Sequence, residues 1–385
     1  MYRDHTVGVV IPAYNEEPFV RETIVTVPAF VDRIYVIDDA STDDTWTEIQ
    51  RAVEADRRAD SEASRARRSD EFDERVVAIQ HEQNRGVGGA IKTGYRRARD
   101  DGVAATAVMG GDGQMDPDVL GTLFDPIVDG EADYVKGNRL AGRRDHGDMP
   151  GFRFVGNAVL GALTKVASGY WSTGDPQTGY TAISARALRE ADIDDMYEFY
   201  GYCNDLLVKL NVARLRVVDL PIPIVYGDEE SHIRYHTYIP RVSWMLLRNF
   251  LWRLKVNYVA YDFHPLVVAY AVGAGGVGLA GAGLLATAAS VGGATPVVGT
   301  LLSATLFLLG VLSMLGGMAM DMRANEHLDE VLLPGRGTPT GEPTRPAREA
   351  YTRAPSSNGH RPRVDTEHVV ESDGGRSADA DAGER

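Results

Sequence analysis

From Pro265 to Met320 this chain of 385 residues carries no charged side chain. No other feature limits the possible folds so strongly. An apolar helix of about 20 residues crosses a hydrocarbon core of about 30 Å. The run Val291-Gly292-Gly293-Ala294-Thr295-Pro296 divides the segment into two stretches of that order, Leu266 to Ser290 and Val297 to Met320. Arg241, Arg248, Arg253 and Lys255 precede the first stretch and Arg323 follows the second, while the loop between them is uncharged. A bias of Arg and Lys toward the cytoplasmic ends predicts a transmembrane hairpin over 265–322, with both termini in the cytoplasm. The competing reading is a helical hairpin buried inside a soluble protein, where charge-free runs of this length are rare.

The region before the hairpin has a different rhythm. Apolar, β-rich runs recur at Val7-Gly8-Val9-Val10-Ile11, Ile34-Tyr35-Val36-Ile37, Val76-Val77-Ala78-Ile79 and Ala104 to Met109. Helical patterns separate them at Glu17 to Val27, Asp44 to Glu54, Gly88 to Arg99 and Pro117 to Val128. Strands alternating with helices predict an α/β domain over 1–237, with a mostly parallel, Rossmann-like sheet. Ligands of such sheets bind at the carboxyl ends of the strands.

Between domain and hairpin, residues 238–264 mix Trp244-Met245-Leu246-Leu247 and Phe250-Leu251-Trp252 with four cations, as an amphipathic helix in a membrane interface would. Residues 334–385 have too little apolar content to bury a core and read as a disordered tail. The charged stretch 51–75 reads as a solvated excursion. A net charge of -15 argues against a nucleic-acid partner, which would need a concentrated basic face. The one cysteine, Cys203, permits no internal disulfide, in keeping with a reducing, cytoplasmic setting.

The chemistry-bearing motifs follow the strands. Ile11-Pro12-Ala13-Tyr14-Asn15-Glu16-Glu17 comes directly after the first, with Pro12 expected to end the ladder. Ile37-Asp38-Asp39-Ala40-Ser41-Thr42-Asp43-Asp44-Thr45 follows the second. Ser41 or Thr42 is expected to cap the next helix, with Asp43 and Asp44 in its first turn. Asp39 has no such structural explanation, and a carboxylate at a strand end suits ribose or base hydrogen bonding. Asn84-Arg85-Gly86-Val87-Gly88-Gly89-Ala90 fits a phosphate loop and glycine-assisted helix packing equally well, because it lacks the Gly-Lys-Ser/Thr ending of a P-loop. Met109-Gly110-Gly111-Asp112-Gly113-Gln114-Met115-Asp116-Pro117 is an acidic loop in which Asp116 is expected to cap a helix starting at Pro117. Lys136 and Arg139 are expected after a short strand, and Asp175 to Ser184 forms a polar loop leading into another.

This ordered set resembles the family 2 glycosyltransferases with the GT-A fold, in particular the branch that includes dolichol-phosphate mannose and glucose synthases. The motifs are PAYNE, DDxSxDxT, NxGxGxA, DGQMDP, KGNR, DPQTGYTAIS and YGDEES, and the resemblance covers residues 7–264. It implies a membrane-anchored inverting transferase moving a hexose, mannose or glucose, from a UDP- or GDP-sugar to polyprenyl (dolichyl) phosphate, with a part in protein glycosylation. It implies that Pro12, Tyr14, Glu16 and Asp39 hold the nucleobase and ribose. Asp112 and Gln114 would lie at a Mg²⁺ or Mn²⁺ ion and the diphosphate. Arg139 would meet a phosphate, and Gln177, Thr178 and Gly179 would line the sugar and acceptor cleft. Two departures stand out. Gly110 occupies the place of the first carboxylate of an Asp-x-Asp-x-Gln loop. Tyr226 and His232 replace the Arg and Lys of the family's acceptor clamp, leaving Arg234 as the candidate substitute.

A lipid phosphate is already an anion, so positioning and electrostatics suffice for the transfer. Asp205 is the candidate base should the acceptor instead be the hydroxyl of a lipid-linked oligosaccharide or glycolipid; Asn204 or Asp205 as a helix cap is the structural alternative. A non-catalytic membrane scaffold that binds a nucleotide sugar is the third reading, kept open by Gly110.

Overall fold

The computed structural model describes residues 1–59, 72–138, 151–222, 235–260, 262–289 and 295–331. Arg139, Tyr226, His232, Arg234, the break at 291–294, the core of the charged excursion and the 334–385 tail lie outside the described residues.

An eight-stranded sheet forms the centre, built from β1 (Val7–Ala13), β2 (Arg33–Asp38), β3 (Val76–Gln80), β4 (Ala105–Val108), β5 (Tyr134–Asn138), β6 (Thr181–Ser184), β7 (Val217–Pro221) and β8 (Asp329–Val331). Their order is β3-β2-β1-β4-β6-β5-β7-β8. Among these described strands only β6 runs against its neighbours, β4 and β5; the other pairings are parallel. The expected mostly parallel α/β architecture is therefore present. Pro12 does not end the β1 ladder, which continues in register through Pro12–Ile37 and Ala13–Asp38. Lys136 lies inside β5 rather than after it. The strand β8, which follows the apolar hairpin, has no counterpart in the sequence reading.

The inner strands are apolar on both sides because helices cover both sides. Val7, Val9, Ile11, Ile34 and Val36 pack with α1 (Val20–Thr26), α2 (Thr45–Ala59) and α4 (Leu120–Val128). Val10, Tyr35 and Ile37 face the opposite way, toward α3 (Val87–Asp100), α6 (Ala185–Glu190) and α7 (Tyr202–Val212). Helix α3 reaches the sheet at Gly94, where a Cβ would strike the Val10 side chain.

Helix α5 (Gly151–Ser168) and helix α8 (Tyr235–Lys255) pack together beside α7. The inward face of α8 carries Val242, Met245, Leu246, Asn249 and Arg253; its outward face carries Trp244, Leu247 and Leu251, with Arg241, Arg248 and Lys255 exposed beside them. This is the expected amphipathic helix, except that Arg253 points inward and is fully buried.

Helices α9 (Leu266–Ala289) and α10 (Thr295–Asn325) form the apolar hairpin. Each is long and apolar enough to cross a membrane, and only 22% and 11% of their most apolar stretches are buried. That exposure disfavours the alternative of a hairpin hidden in a soluble core. The helices approach closely at small residues: Gly276 faces Gly310, and a Cβ on Gly273 would lie 2.9 Å from Gly310 O. Asn325, at the end of α10, joins Asp321, Tyr258 and Asn211 in a buried polar network.

Candidate functional site

The strand order reverses at β1, which lies between β2 and β4. Such a switch point opens a crevice at the carboxyl edge of a parallel sheet. The loops after β1 and β4 meet there. Gly111 N donates to Pro12 O at 3.1 Å, and a Cβ on Gly111 would lie 3.3 Å from Ala13 Cβ. Thr23 Oγ1 donates to Gly111 O at 3.3 Å from the helix α1 side. The acidic loop is thus fastened along its backbone to the carboxyl end of β1.

Asp112 is half-buried, and its Oδ1 accepts from Gln114 N at 3.1 Å across Gly113, whose φ is +70°. Gly110 lies against the same carboxylate: a Cβ there would be 2.9 Å from Asp112 Oδ1. A second carboxylate at position 110 therefore requires Asp112 to turn away. Asp116 caps the short 3₁₀ turn Pro117–Val119 by accepting from Asp118 N at 3.0 Å, as expected from sequence. Among the described residues no group of three or more His, Cys, Asp or Glu side chains gathers as a metal cluster.

The β1 and β2 loops are tied together as well. Asn15, with φ +57°, accepts from Thr42 N at 2.8 Å, and its own N–H donates to Ser41 Oγ at 3.0 Å. Glu16 N donates to Thr45 Oγ1 at 2.8 Å, leaving Tyr14 exposed at the rim and Glu16 half-buried. Helix α2 starts at Thr45, later than expected, and Asp43 meets its N-terminus by accepting from Thr45 N at 3.1 Å. Ser41 and Thr42 are instead spent on Asn15.

Asp39 does have structural work. It is 2% exposed, and its Oδ1 lies 2.7 Å from His81 Nδ1 and accepts from Arg85 N at 2.9 Å. His81 Nε2 in turn lies 2.9 Å from Thr93 Oγ1 on α3. The glycine run packs closely against another segment. A Cβ on Gly86 would lie 2.7 Å from Glu198 O, and one on Gly88 would strike Tyr197 O. Gly89 N donates to Glu198 O at 2.8 Å. The faces bared by these glycines are filled by the segment Tyr197–Phe199.

None of the sequence motifs includes that segment. Glu198 Oε1 accepts from Arg85 at 2.6 Å and from Lys92 at 2.8 Å. Burial pushes the Glu198 carboxyl up, but the two cationic donors hold it below the usual range. Phe199 and Tyr200 stay exposed. The Tyr200 hydroxyl is shifted up by desolvation and then by the negative charges of Glu16 and Asp112, so it shares the field of the site.

On the far side of the crevice, Thr178 is 1% exposed and Gln177 is half-buried. Thr178 Oγ1 and Gln177 Nε2 are buried without a hydrogen-bond partner among the described residues, so the fold leaves two polar atoms unsatisfied there. Behind them Lys136 Nζ donates to Asp175 O and lies 3.6 Å from Asp219 Oδ1. Burial pushes its ammonium pKa down. Asp219 Oδ2 accepts from Asn138 at 2.6 Å and Gly174 N at 3.0 Å.

Neither Asn204 nor Asp205 caps α7; Gly201 does, with φ +109°. Asp205 is 3% exposed, and its two oxygens accept from Tyr197 N at 2.9 Å and Asn249 Nδ2 at 2.6 Å.

Set beside known proteins, residues 8–191 match the family described as glycosyl transferase family 2. The UDP-N-acetylglucosamine–dolichyl-phosphate N-acetylglucosaminyltransferase of Methanococcus voltae is 31% identical over 226 residues, 58% of this chain and 88% of that protein. The undecaprenyl-phosphate mannosyltransferase of Micrococcus luteus is 29% identical over 222 residues, 56% of this chain and 82% of that protein. Among solved structures, glucosyl-3-phosphoglycerate synthase from Mycobacterium tuberculosis, in complex with Mn²⁺, UDP and glucosyl-3-phosphoglycerate, has a TM-score of 0.45 at 18% identity, covering 66% of this chain and 81% of that one.

Proposed function

The chain belongs to glycosyltransferase family 2 and is a glycosyltransferase, and from that premise we propose that it is a membrane-anchored, inverting enzyme moving a sugar from a nucleotide donor to a dolichyl-type polyprenyl phosphate. The observation that carries this reading is the fastening of the Asp112 loop to the carboxyl end of β1 at the switch point, in a chain whose sheet domain leads into an amphipathic helix and an apolar hairpin. The two relatives support the acceptor, since both are named for transfer to a polyprenyl phosphate. They also widen the expected mannose or glucose to include an N-acetylhexosamine.

In this reading Tyr14, Glu16 and Asp39 contact the nucleoside, with Pro12 shaping the loop beneath it. Gln177 and Thr178 offer their unpartnered polar atoms to the sugar or the acceptor. Asp112, with Gln114 beside it, would hold Mg²⁺ or Mn²⁺; one carboxylate suits an ion that keeps several waters and takes phosphate oxygens. Such an ion supplies charge neutralisation for the departing diphosphate. Arg139 and Arg234 are the proposed cations for the donor and acceptor phosphates.

The chemistry is a single in-line displacement. An oxygen of the lipid phosphate forms a bond to the anomeric carbon as the bond from that carbon to the nucleoside diphosphate breaks, inverting the centre. The nucleophile arrives as an anion, so no side chain has to remove a proton, and the protein's part is orientation and electrostatics. The outward face of α8 would lie at the headgroup level, with α9 and α10 in the bilayer and the sheet domain and both termini on the cytoplasmic side.

The test is transfer by membranes containing the protein, supplied with labelled UDP-N-acetylglucosamine, GDP-mannose or UDP-glucose and with dolichyl phosphate, with and without Mn²⁺. The proposal expects a labelled lipid product from one donor. Label appearing only in a lipid-linked oligosaccharide would move the acceptor assignment to a hydroxyl.

A further inference from the structure

Asp205 lies between two parts of the molecule that the proposed reaction has to keep in register. One is α8, which holds Asn249 on its inward face and Trp244, Leu247 and Leu251 on its outward face. The other is the segment Tyr197–Tyr200. Both groups that Asp205 accepts from, Tyr197 N–H and the Asn249 amide, are donors. A carboxylate can accept from both at once, with no donor of its own to satisfy. A general base would have to turn an oxygen toward a substrate proton, and here each oxygen is occupied in a buried setting.

The contacts continue past Tyr197. Glu198 O accepts from Gly89 N, Glu198 Oε1 accepts from Arg85, and Arg85 N donates to Asp39 Oδ1 at the nucleotide end of the crevice. The glycines leave this segment no slack, because a Cβ on Gly88 would strike Tyr197 O. We infer that Asp205 is a positioning residue that fastens α8 to the Tyr197–Tyr200 segment and, through Glu198 and Arg85, fixes the nucleotide-binding end of the site. This rests on the transferase reading and extends it: the helix proposed to sit at the lipid surface and the donor pocket become one mechanical unit.

The experiment uses the full-length protein in detergent, with UDP and GDP, each with Mn²⁺, as the titrated probes and thermal unfolding as the check on folding. Asn249→Asp sets two carboxylates against each other. It is expected to weaken binding of whichever nucleotide the wild type binds by about 3- to 30-fold. Adding Asp205→Asn exchanges donor and acceptor, and the oxygen of the new amide still accepts from Tyr197 N. That double variant is expected to return to within about threefold of the wild type. Asn249→Ala, which adds no charge, is expected to weaken binding in the same direction and decides the matter if Asn249→Asp does not fold. Wild-type affinity in Asn249→Ala, or a folded double variant that recovers nothing, would overturn the inference while leaving the transferase reading standing. A wild type that binds neither UDP nor GDP would sink the transferase reading, and this inference with it.

Discussion

Arg253 and Asp321 form a two-point ion pair, Nη2 to Oδ2 at 2.8 Å and Nη1 to Oδ1 at 3.0 Å, with both side chains fully buried. Arg253 also donates to Val166 O and Ala167 O at the end of α5. One side chain of α8 thereby fastens the foot of α10 to the sheet domain. Strand β8 fastens the same foot from the other side by pairing with β7.

Removing one partner of such a pair strands a buried charge, so Asp321→Ala should cost roughly 3–5 kcal/mol. Arg253→Met combined with Asp321→Leu should cost less than either single change, because no charge is left unpaired. Unfolding in detergent micelles measures both, and a single variant as stable as the wild type would refute the clamp.

The glycine run makes a sharper stability prediction. A Cβ on Gly88 meets the backbone at Tyr197 O, and backbone cannot turn aside as a side chain can. Gly88→Ala should cost about 1–3 kcal/mol through overpacking and should weaken nucleotide binding. Gly278→Ala, where no other described residue lies within 4 Å, is the control and should be neutral to slightly stabilising.

Asp112 supplies the carboxylate of the proposed metal site. Mn²⁺ should therefore bind the free protein weakly and the nucleotide-loaded protein much more tightly, as calorimetry with and without nucleotide would reveal. Equal, tight Mn²⁺ binding in both wild-type states would mean that further ligands complete the site.

Much of this is legible in the sequence, for local reasons. The parallel strands show as apolar runs because both faces are covered, and the hairpin shows by its lack of charge. Asp116 is readable as a cap because the group it satisfies is two residues away. What escapes depends on contacts distant in sequence. Asp39 reads as free because His81 and Arg85 reach it only in the fold. The packing role of the glycines is not readable locally because the segment that fills their bared faces, Tyr197–Phe199, comes more than a hundred residues later. Arg253 passes for a surface cation because its partner, Asp321, lies near the far end of the hairpin, on the last turns of α10. Strand β8 is three residues long, too short for an alternating pattern to register.

The central claim is sugar transfer to a polyprenyl phosphate at Asp112. Its most direct test compares wild type with Asp112→Ala, both purified and shown to be folded, in liposomes containing dolichyl phosphate and supplied with labelled nucleotide sugars and Mn²⁺. The account predicts a labelled dolichyl-phosphate sugar from the wild type and none from Asp112→Ala. Undiminished transfer by a folded Asp112→Ala protein would contradict it.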